Sequence, residues 1–263
     1  MPLTVVRGGG DLGTGIVHRM KRSGFDVVIL EAERPLSVRR TVSFSEAVYL
    51  GSMVVEGMKA VCVRDAGAAA EISSSQDVPV MADEEAEFIK VVKPDVLVDA
   101  RMLKRKNDTN TGMAAVVIGC GPGFEAGRDV HAVVETVRGH DLGRVIMHGS
   151  ALPNTGKPGT IAGISQERVL YAPADGRVDV MMDIGSIADK EDVVAVVGGA
   201  EVRARIDGIV RGMIHPGSYV KMGTKIGDID PRENAGYCYT ISDKARAVAG
   251  GVLEAALCLG GFL

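Results

Sequence analysis

Residues 7–15 read RGGGDLGTG, directly behind the apolar run LTVV (3–6) and directly ahead of IVHRMKRSG (16–24). A buried strand that ends in bare backbone and restarts as a helix leaves few architectures open. It predicts an α/β chain whose first strand delivers its end to a ligand. Gly8, Gly10 and Gly13 fit G-x-G-x-x-G, and Glu31 follows at the end of the next strand-like run, DVVIL (26–30). In such a loop, glycines let the backbone approach a pyrophosphate, and the helix N-terminus offers N–H groups and a positive dipole end. Thr14 and Gly15 continue the loop into the helix. Asp11 stands within it as a helix cap or a sugar contact, and Glu31 has the place of an acceptor for a ribose hydroxyl. The competing reading is a tight turn that binds nothing.

The pattern continues in kind to about residue 165. MVVEGMKAVCV (53–63) predicts a hairpin turning at Glu56-Gly57. ADEEAEFIKVVK (82–93) and VHAVVETVRG (130–139) read as helices, and DVLVDA (95–100) and AAVVI (114–118) as strands. Alternating strands and helices predict a doubly wound, Rossmann-like parallel sheet. A second glycine-rich loop, GCGPGFEAG (119–127), also follows a buried run. Gly121, Gly123 and Phe124 are its candidate binding residues, with Phe124 either covering a flat ring or plugging the core. Cys120 reads as a buried thiol rather than a nucleophile. His131, Glu135 and Arg138 share one face of the expected helix, as the wall of a site or a solvated face, and their spacing makes no zinc motif. Arg34, Arg39 and Arg40 offer a further phosphate contact or a solvated cluster. LKRKNDTNTG (103–112) would bring Lys104, Lys106 and Asn107 towards the same crevice.

Beyond about residue 165 the helical period disappears and a repeat takes over. APADGRVDVMMDIGS (172–186) aligns without a gap on ARIDGIVRGMIHPGS (204–218), at an offset of 32. Asp175-Gly176 falls on Asp207-Gly208 and Gly185-Ser186 on Gly217-Ser218. Two such copies predict interlocked β-halves about a pseudo-twofold axis, a small barrel-sandwich hybrid of biotinyl or lipoyl type. The stretch between the halves, VVGGAEVRAR (196–205), contains no Lys, so no covalent biotin or lipoate is expected. Asp228 and Asp230 share a strand face, with little reason to expect a metal there. The last segment, SDKARAVAGGVLEAALC (242–258), reads as a helix capped by Ser242. The expected domains are 1–165, Rossmann-like; 166–232, the β-repeat; and 233–263, a helical segment packing on the rest.

Composition narrows the partners. The 263 residues carry a net charge of −4 and no Trp, which argues against nucleic acid as a ligand. The four cysteines lie far apart without a C-x-x-C pair, which suits a reducing compartment. Arg7 precedes any apolar run long enough for a secretory leader, and the greasy C-terminal stretch is interrupted by Glu254. A cytoplasmic protein without a membrane partner is expected. Self-association is left open.

Taken together, RGGGDLGTGIVHRM, ERPLSVRRTVSFSEAVYLG, GPGFEAGRDVHAVVETVRGHDLGRV, PNTGKPG, ERVLYAPADG, KIGDIDPR and TISDKARAVAGGVLEA resemble the YqeB-type accessory proteins of selenium-dependent molybdenum hydroxylase systems. That family is itself similar, in its Rossmann part, to the xanthine dehydrogenase accessory proteins. The resemblance implies a role in maturing a molybdenum hydroxylase, with the client enzyme as partner. It implies no assured catalytic residue. It marks Gly8–Gly15 and Gly121–Phe124 as binding loops and Arg138-Gly139-His140 as a functional element. The ligand it suggests is a dinucleotide, either the molybdopterin dinucleotide form of the molybdenum cofactor or NAD(P). An NAD(P)-dependent oxidoreductase and a non-catalytic interaction scaffold are the alternatives.

Overall fold

The computed structural model describes residues 1–103, 108–154, 156 and 158–262. The chain forms two compact units. One comprises Met1–Pro35, Ser43–Asn154 and Ile241–Leu263, the other Leu36–Val42 and Thr155–Thr240.

The first unit contains β1 (Leu3–Arg7), α1 (Asp11–Arg22), β2 (Asp26–Glu31), α2 (Ala47–Leu50), β3 (Ser52–Val55), β4 (Met58–Val63), α3 (Ala66–Ser73) and β5 (Val78–Ala82). It continues with α4 (Phe88–Val91), β6 (Val96–Asp99), β7 (Val116–Cys120), β8 (Ala132–Val134), β9 (Val145–Ile146) and, from the far end of the chain, α5 (Asp243–Gly260). The strands form one sheet in the order β3-β4-β5-β2-β1-β6-β7-β8-β9. The pairs from β4 to β8 are parallel; the outer pairs β3–β4 and β8–β9 are antiparallel.

The inner strands are buried almost end to end, as a sheet covered on both faces requires. Val5, Val28, Leu97, Val117 and Val133 share a core with Ala69 of α3 and with Phe88 and Ile89 of α4. The alternate residues Val6, Ile29, Val98 and Ile118 point to the other face, where α1 and α5 pack. The two helices touch closely: a Cβ at Gly15 would lie 2.8 Å from the Ala245 Cβ. The β3–β4 hairpin turns at Glu56-Gly57, both with positive φ (45° and 81°), a two-residue turn whose twist matches its strands. Ser242 caps α5 through the Ala245 N–H at 3.1 Å.

This sheet corrects the fold class expected from the sequence. The segment 130–139 is strand β8 and a turn, not a helix, and the helix expected over 82–93 shrinks to the four residues of α4. No α-helix crosses from β6 to β7 or from β7 to β8 among the described residues. The cover over β6–β9 comes instead from α5, which begins at Asp243, about 100 residues beyond β9 and further still from β6. Doubly wound Rossmann topology depends on local crossover helices, and here one face is closed by a distant segment. The molecule is a mixed α/β fold with a large, mainly parallel sheet and additional antiparallel sheets.

The second unit contains β10 (Val169–Tyr171), β11 (Gly176–Val180), β12 (Ile187–Ala188), β13 (Val193–Val197), β14 (Ala200–Arg203), β15 (Gly208–Met213), β16 (Tyr219–Val220) and β17 (Lys225–Asp230). They form two four-stranded sheets, β10-β17-β15-β12 and β14-β13-β11-β16. The repeat is visible in the pairing. Gly176 faces Val220 in one sheet, and Gly208 faces Ala188 in the other, so the offset of 32 maps each pair onto its counterpart. β11 pairs with β13 as β15 pairs with β17. The unit is not a self-contained biotinyl-type module, because Leu36–Val42 belongs to it. The Met213 N–H donates to the Val38 carbonyl at 2.8 Å, and a Cβ at Gly212 would meet Val38 Cγ1 at 2.7 Å.

Candidate functional site

Strand order reverses at β1. The chain runs from β1 to β2 on one side, then crosses from β5 to β6 on the other. The carboxyl ends of β1 and β6 therefore flank a topological switch point, where open α/β sheets place their ligands. Both glycine loops reach this edge. The Gly8 Cα faces the backbone of Arg101, and Gly121 lies against the Met102 side chain, so residues 101–102 separate the two loops.

The first loop is wound tightly on itself. The Gly8 N–H donates to the Leu30 carbonyl at 2.8 Å, extending the β1–β2 ladder. Gly8 adopts φ 96°, and a Cβ at Gly13 would lie 1.9 Å from the Gly8 oxygen, so only glycine fits position 13. Thr14 is fully buried; its hydroxyl donates to the Gly9 carbonyl at 3.0 Å and accepts the Phe44 N–H at 2.8 Å. Glu31 differs from its expected role. One carboxylate oxygen accepts the Gly9 N–H at 2.7 Å and the other accepts the Ala32 N–H at 2.8 Å. It clamps the loop rather than standing ready for a ribose. Burial raises its carboxyl above the ordinary range, against the opposing effect of these two hydrogen bonds.

α1 starts at this loop without a side-chain cap. Gly10 is its N-cap residue and makes no such bond, whereas Asp65 caps α3 and Ser242 caps α5. Asp11 occupies the first helical turn, where its charge suits the dipole.

Beside the loop lies a charge network that the sequence reading missed. Arg7 is 1% exposed; it binds Asp108 at 2.9 and 3.0 Å, the Thr109 hydroxyl at 2.9 Å and the Glu84 carbonyl at 3.0 Å. Arg101 binds Asp99 and Asp108, each at 2.6 Å, and the Thr109 hydroxyl donates to Asp99 at 2.6 Å. Burial would raise the Asp108 carboxyl, but hydrogen bonds and charge from Arg7 and Arg101 outweigh it and hold it well below the usual range. The available signal was a charged residue closing each apolar run, LTVVR and DVLVD.

The second loop is more structural than expected. Phe124 is 4% exposed and stacks on Gly119, where a Cβ would lie 2.5 Å from its ring, so it plugs the core. Gly121 (φ 75°) donates its N–H to the Val134 carbonyl at 2.8 Å, and Gly123 adopts φ 107°. Cys120 is fully buried; burial and then the charge of Asp99 push its thiol far up, which suits packing and not nucleophilic attack.

The remaining candidates have partners of their own or lie exposed. Arg138 is bound through two nitrogens to Asp243 in the first turn of α5, at 2.6 and 3.1 Å, and His140 is exposed. Glu135 accepts three backbone N–H groups, from Thr136, Val137 and Leu152. His131 accepts the Val117 N–H at 2.9 Å, where β8 begins to pair with β7. Arg40 lies in the second unit, bonded to the Met213 carbonyl and to Asp183, and Arg39 there binds the carbonyls of Tyr237 and Thr240. Arg34 is exposed. Asp228 pairs with Arg168, and Asp230 with Arg211 and Arg232. Lys104, Lys106 and Asn107 lie outside the described residues. Among the described residues no three His, Cys, Asp or Glu side chains converge as a metal site, and no helix is long and apolar enough to cross a membrane.

No family model matches the chain. Over 257 residues, 98% of its length, it is 44% identical to the protein of Escherichia coli (strain K12) named Uncharacterized protein YqeB. The match covers 48% of that protein, so the chain spans about half the length of this curated relative. Solved structures give a distant likeness. The product-bound ectoine utilization protein EutE (DoeB) from Ruegeria pomeroyi is 13% identical, with 87% of this chain and 85% of that one covered and a TM-score of 0.28. A succinylglutamate desuccinylase from Silicibacter sp. is 13% identical, with 87% and 84% covered and a TM-score of 0.26. A succinylglutamate desuccinylase/aspartoacylase from Rhodobacter sphaeroides is 14% identical, with 87% and 85% covered and a TM-score of 0.28. The activities in those names belong to those proteins.

Proposed function

We propose that this chain is a cytoplasmic accessory protein of a molybdenum hydroxylase and holds a phosphorylated, dinucleotide-type ligand at the switch point between β1 and β6. The observation that carries the reading is the start of α1: a helix N-terminus with no side-chain cap, behind a glycine loop, at the edge where the sheet reverses its strand order. Amide N–H groups and the positive end of a helix dipole favour a phosphate there. Similarity to YqeB along nearly the whole chain, with the motifs GPGF, RGHDLGR and ISDKARA, supports the link to the selenium-dependent molybdenum hydroxylase systems and the related xanthine dehydrogenase accessory proteins.

The donor set suits an anion better than a metal ion. Thr14 and Glu31 hold the loop's shape, the first turn of α1 faces the phosphate, and the Arg7–Asp108–Arg101–Asp99 network fixes the neighbouring β6 edge. A molybdenum cofactor bound here would bring its own redox chemistry. The chain's residues would grip and orient its phosphate end for delivery to the client.

Mass spectrometry of small molecules released from freshly purified protein tests this, followed by calorimetry with CMP, NAD, NADP and molybdopterin cytosine dinucleotide. A phosphorylated pterin or cytidine nucleotide is the expected result. Binding of NAD or NADP alone would favour an oxidoreductase. No binding of any of the four would leave the glycine loops as turns and end the proposal.

A further inference from the structure

α1 carries a second feature on the face that packs towards α5. Gly15, His18, Arg19 and Arg22 follow one another at helical spacing and line a cleft of about 340 Å³ together with Ile241 and Arg246. His18 and Arg22 also line an adjoining cleft of about 620 Å³, whose wall includes Phe25, Met58 and Lys59. The two clefts thus form one groove with a cationic end and a partly apolar end.

The charges are unevenly matched. Glu56 holds Arg246 at 2.7 and 2.8 Å and accepts the Ile241 N–H at 2.9 Å. Asp26 and Asp77 answer Lys21 and Lys59 at 3.9 Å each. Among the described residues, no carboxylate lies within ion-pair distance of Arg19 or Arg22. Cations in the last turn of α1 suit its dipole, which accounts for Arg19 and Arg22 singly. Arg246, near the start of α5 where the dipole disfavours a positive charge, is balanced by Glu56, which it meets through one of its guanidinium nitrogens. Three guanidiniums converge on one cleft in a chain of net charge −4. Between them His18 is 7% exposed; burial lowers its proton affinity, Arg22 and Arg246 repel its proton, and Glu56 pulls the other way.

We propose that this groove is a second ligand site, separate from the glycine loop, and that it takes a phosphate monoester with an apolar body. The phosphate meets Arg19, Arg22 and Arg246, whose planar forks suit its oxygens. The body lies past His18 along Phe25 and Met58.

Phenyl phosphate and inorganic phosphate are the probes, titrated into the whole chain while the His18 ring signals are followed by NMR, assigned with His18→Gln. Phenyl phosphate is expected to shift the His18 signals saturably and to bind about tenfold more tightly than inorganic phosphate. Arg19→Ala/Arg22→Ala should weaken it by about tenfold or more. Circular dichroism verifies that this variant folds; if it does not, Arg19→Gln/Arg22→Gln replaces it. Unmoved His18 signals, affinity unchanged in the folded double variant, or equal affinity for the two probes would each overturn the assignment.

Discussion

The Glu31 carboxylate and the Gly9 N–H meet at 2.7 Å across 22 residues of sequence, and the other Glu31 oxygen holds the Ala32 N–H. The end of β2 thereby sets the shape of the loop that ends β1. Burial keeps the Glu31 carboxyl above its ordinary range, so its contribution to stability is greatest at low pH and is lost as pH rises through the folded-state value. As pH rises above the ordinary glutamate value, about pH 4, the stability of the native chain should fall relative to Glu31→Gln. Urea unfolding at several pH values reads this difference; a slope of opposite sign would refute it.

Gly13→Ala places a methyl group against the Gly8 carbonyl, a backbone atom that cannot swing away. A cost of about 3 kcal/mol or more is expected, with ligand binding at the switch point lost. Thermal unfolding and calorimetry measure the two effects. A variant as stable as the parent would mean that the loop is not wound as described.

Asp108 gains its low pKa from Arg7 and Arg101. Its stabilisation is fully present above the ordinary aspartate value, near pH 4, and is lost as pH falls towards the folded-state value. Asp108→Asn should therefore flatten the acid side of the stability curve. Urea midpoints between pH 2 and 5 decide it, and an acid limb identical in both proteins would count against the network.

Phe124→Ala should cost about 3–5 kcal/mol, because the ring fills the space over Gly119. If Phe124 instead covered a ligand ring, the substitution would weaken binding and leave the melting temperature unchanged. Differential scanning calorimetry separates these outcomes.

Much of the chain is legible locally. The β1–loop–α1 unit, the Glu56-Gly57 hairpin, the Ser242 cap and the offset of 32 all rest on contacts between near neighbours or on strict periodicity. The segment 130–139 misleads for a definite reason. Val130, Val133, Val134 and Val137 satisfy helical spacing, yet the same valines suit a buried strand, and short apolar runs do not distinguish the two. Pairing with β7 decides in favour of the strand.

The sequence by itself determined where backbone would be bare, where strands would be buried and where the repeat would fall, because glycine content and apolar period act within a few residues. Tertiary structure alone decided which donor meets which acceptor. Arg7 finds Asp108 across 101 residues, and Arg40 finds Asp183 across 143. Val38 fills the space that Gly212 leaves open, and α5 closes a sheet begun at residue 3. A charge or an amide is satisfied by whatever the folded chain brings within 3 Å, and no local pattern encodes that distance.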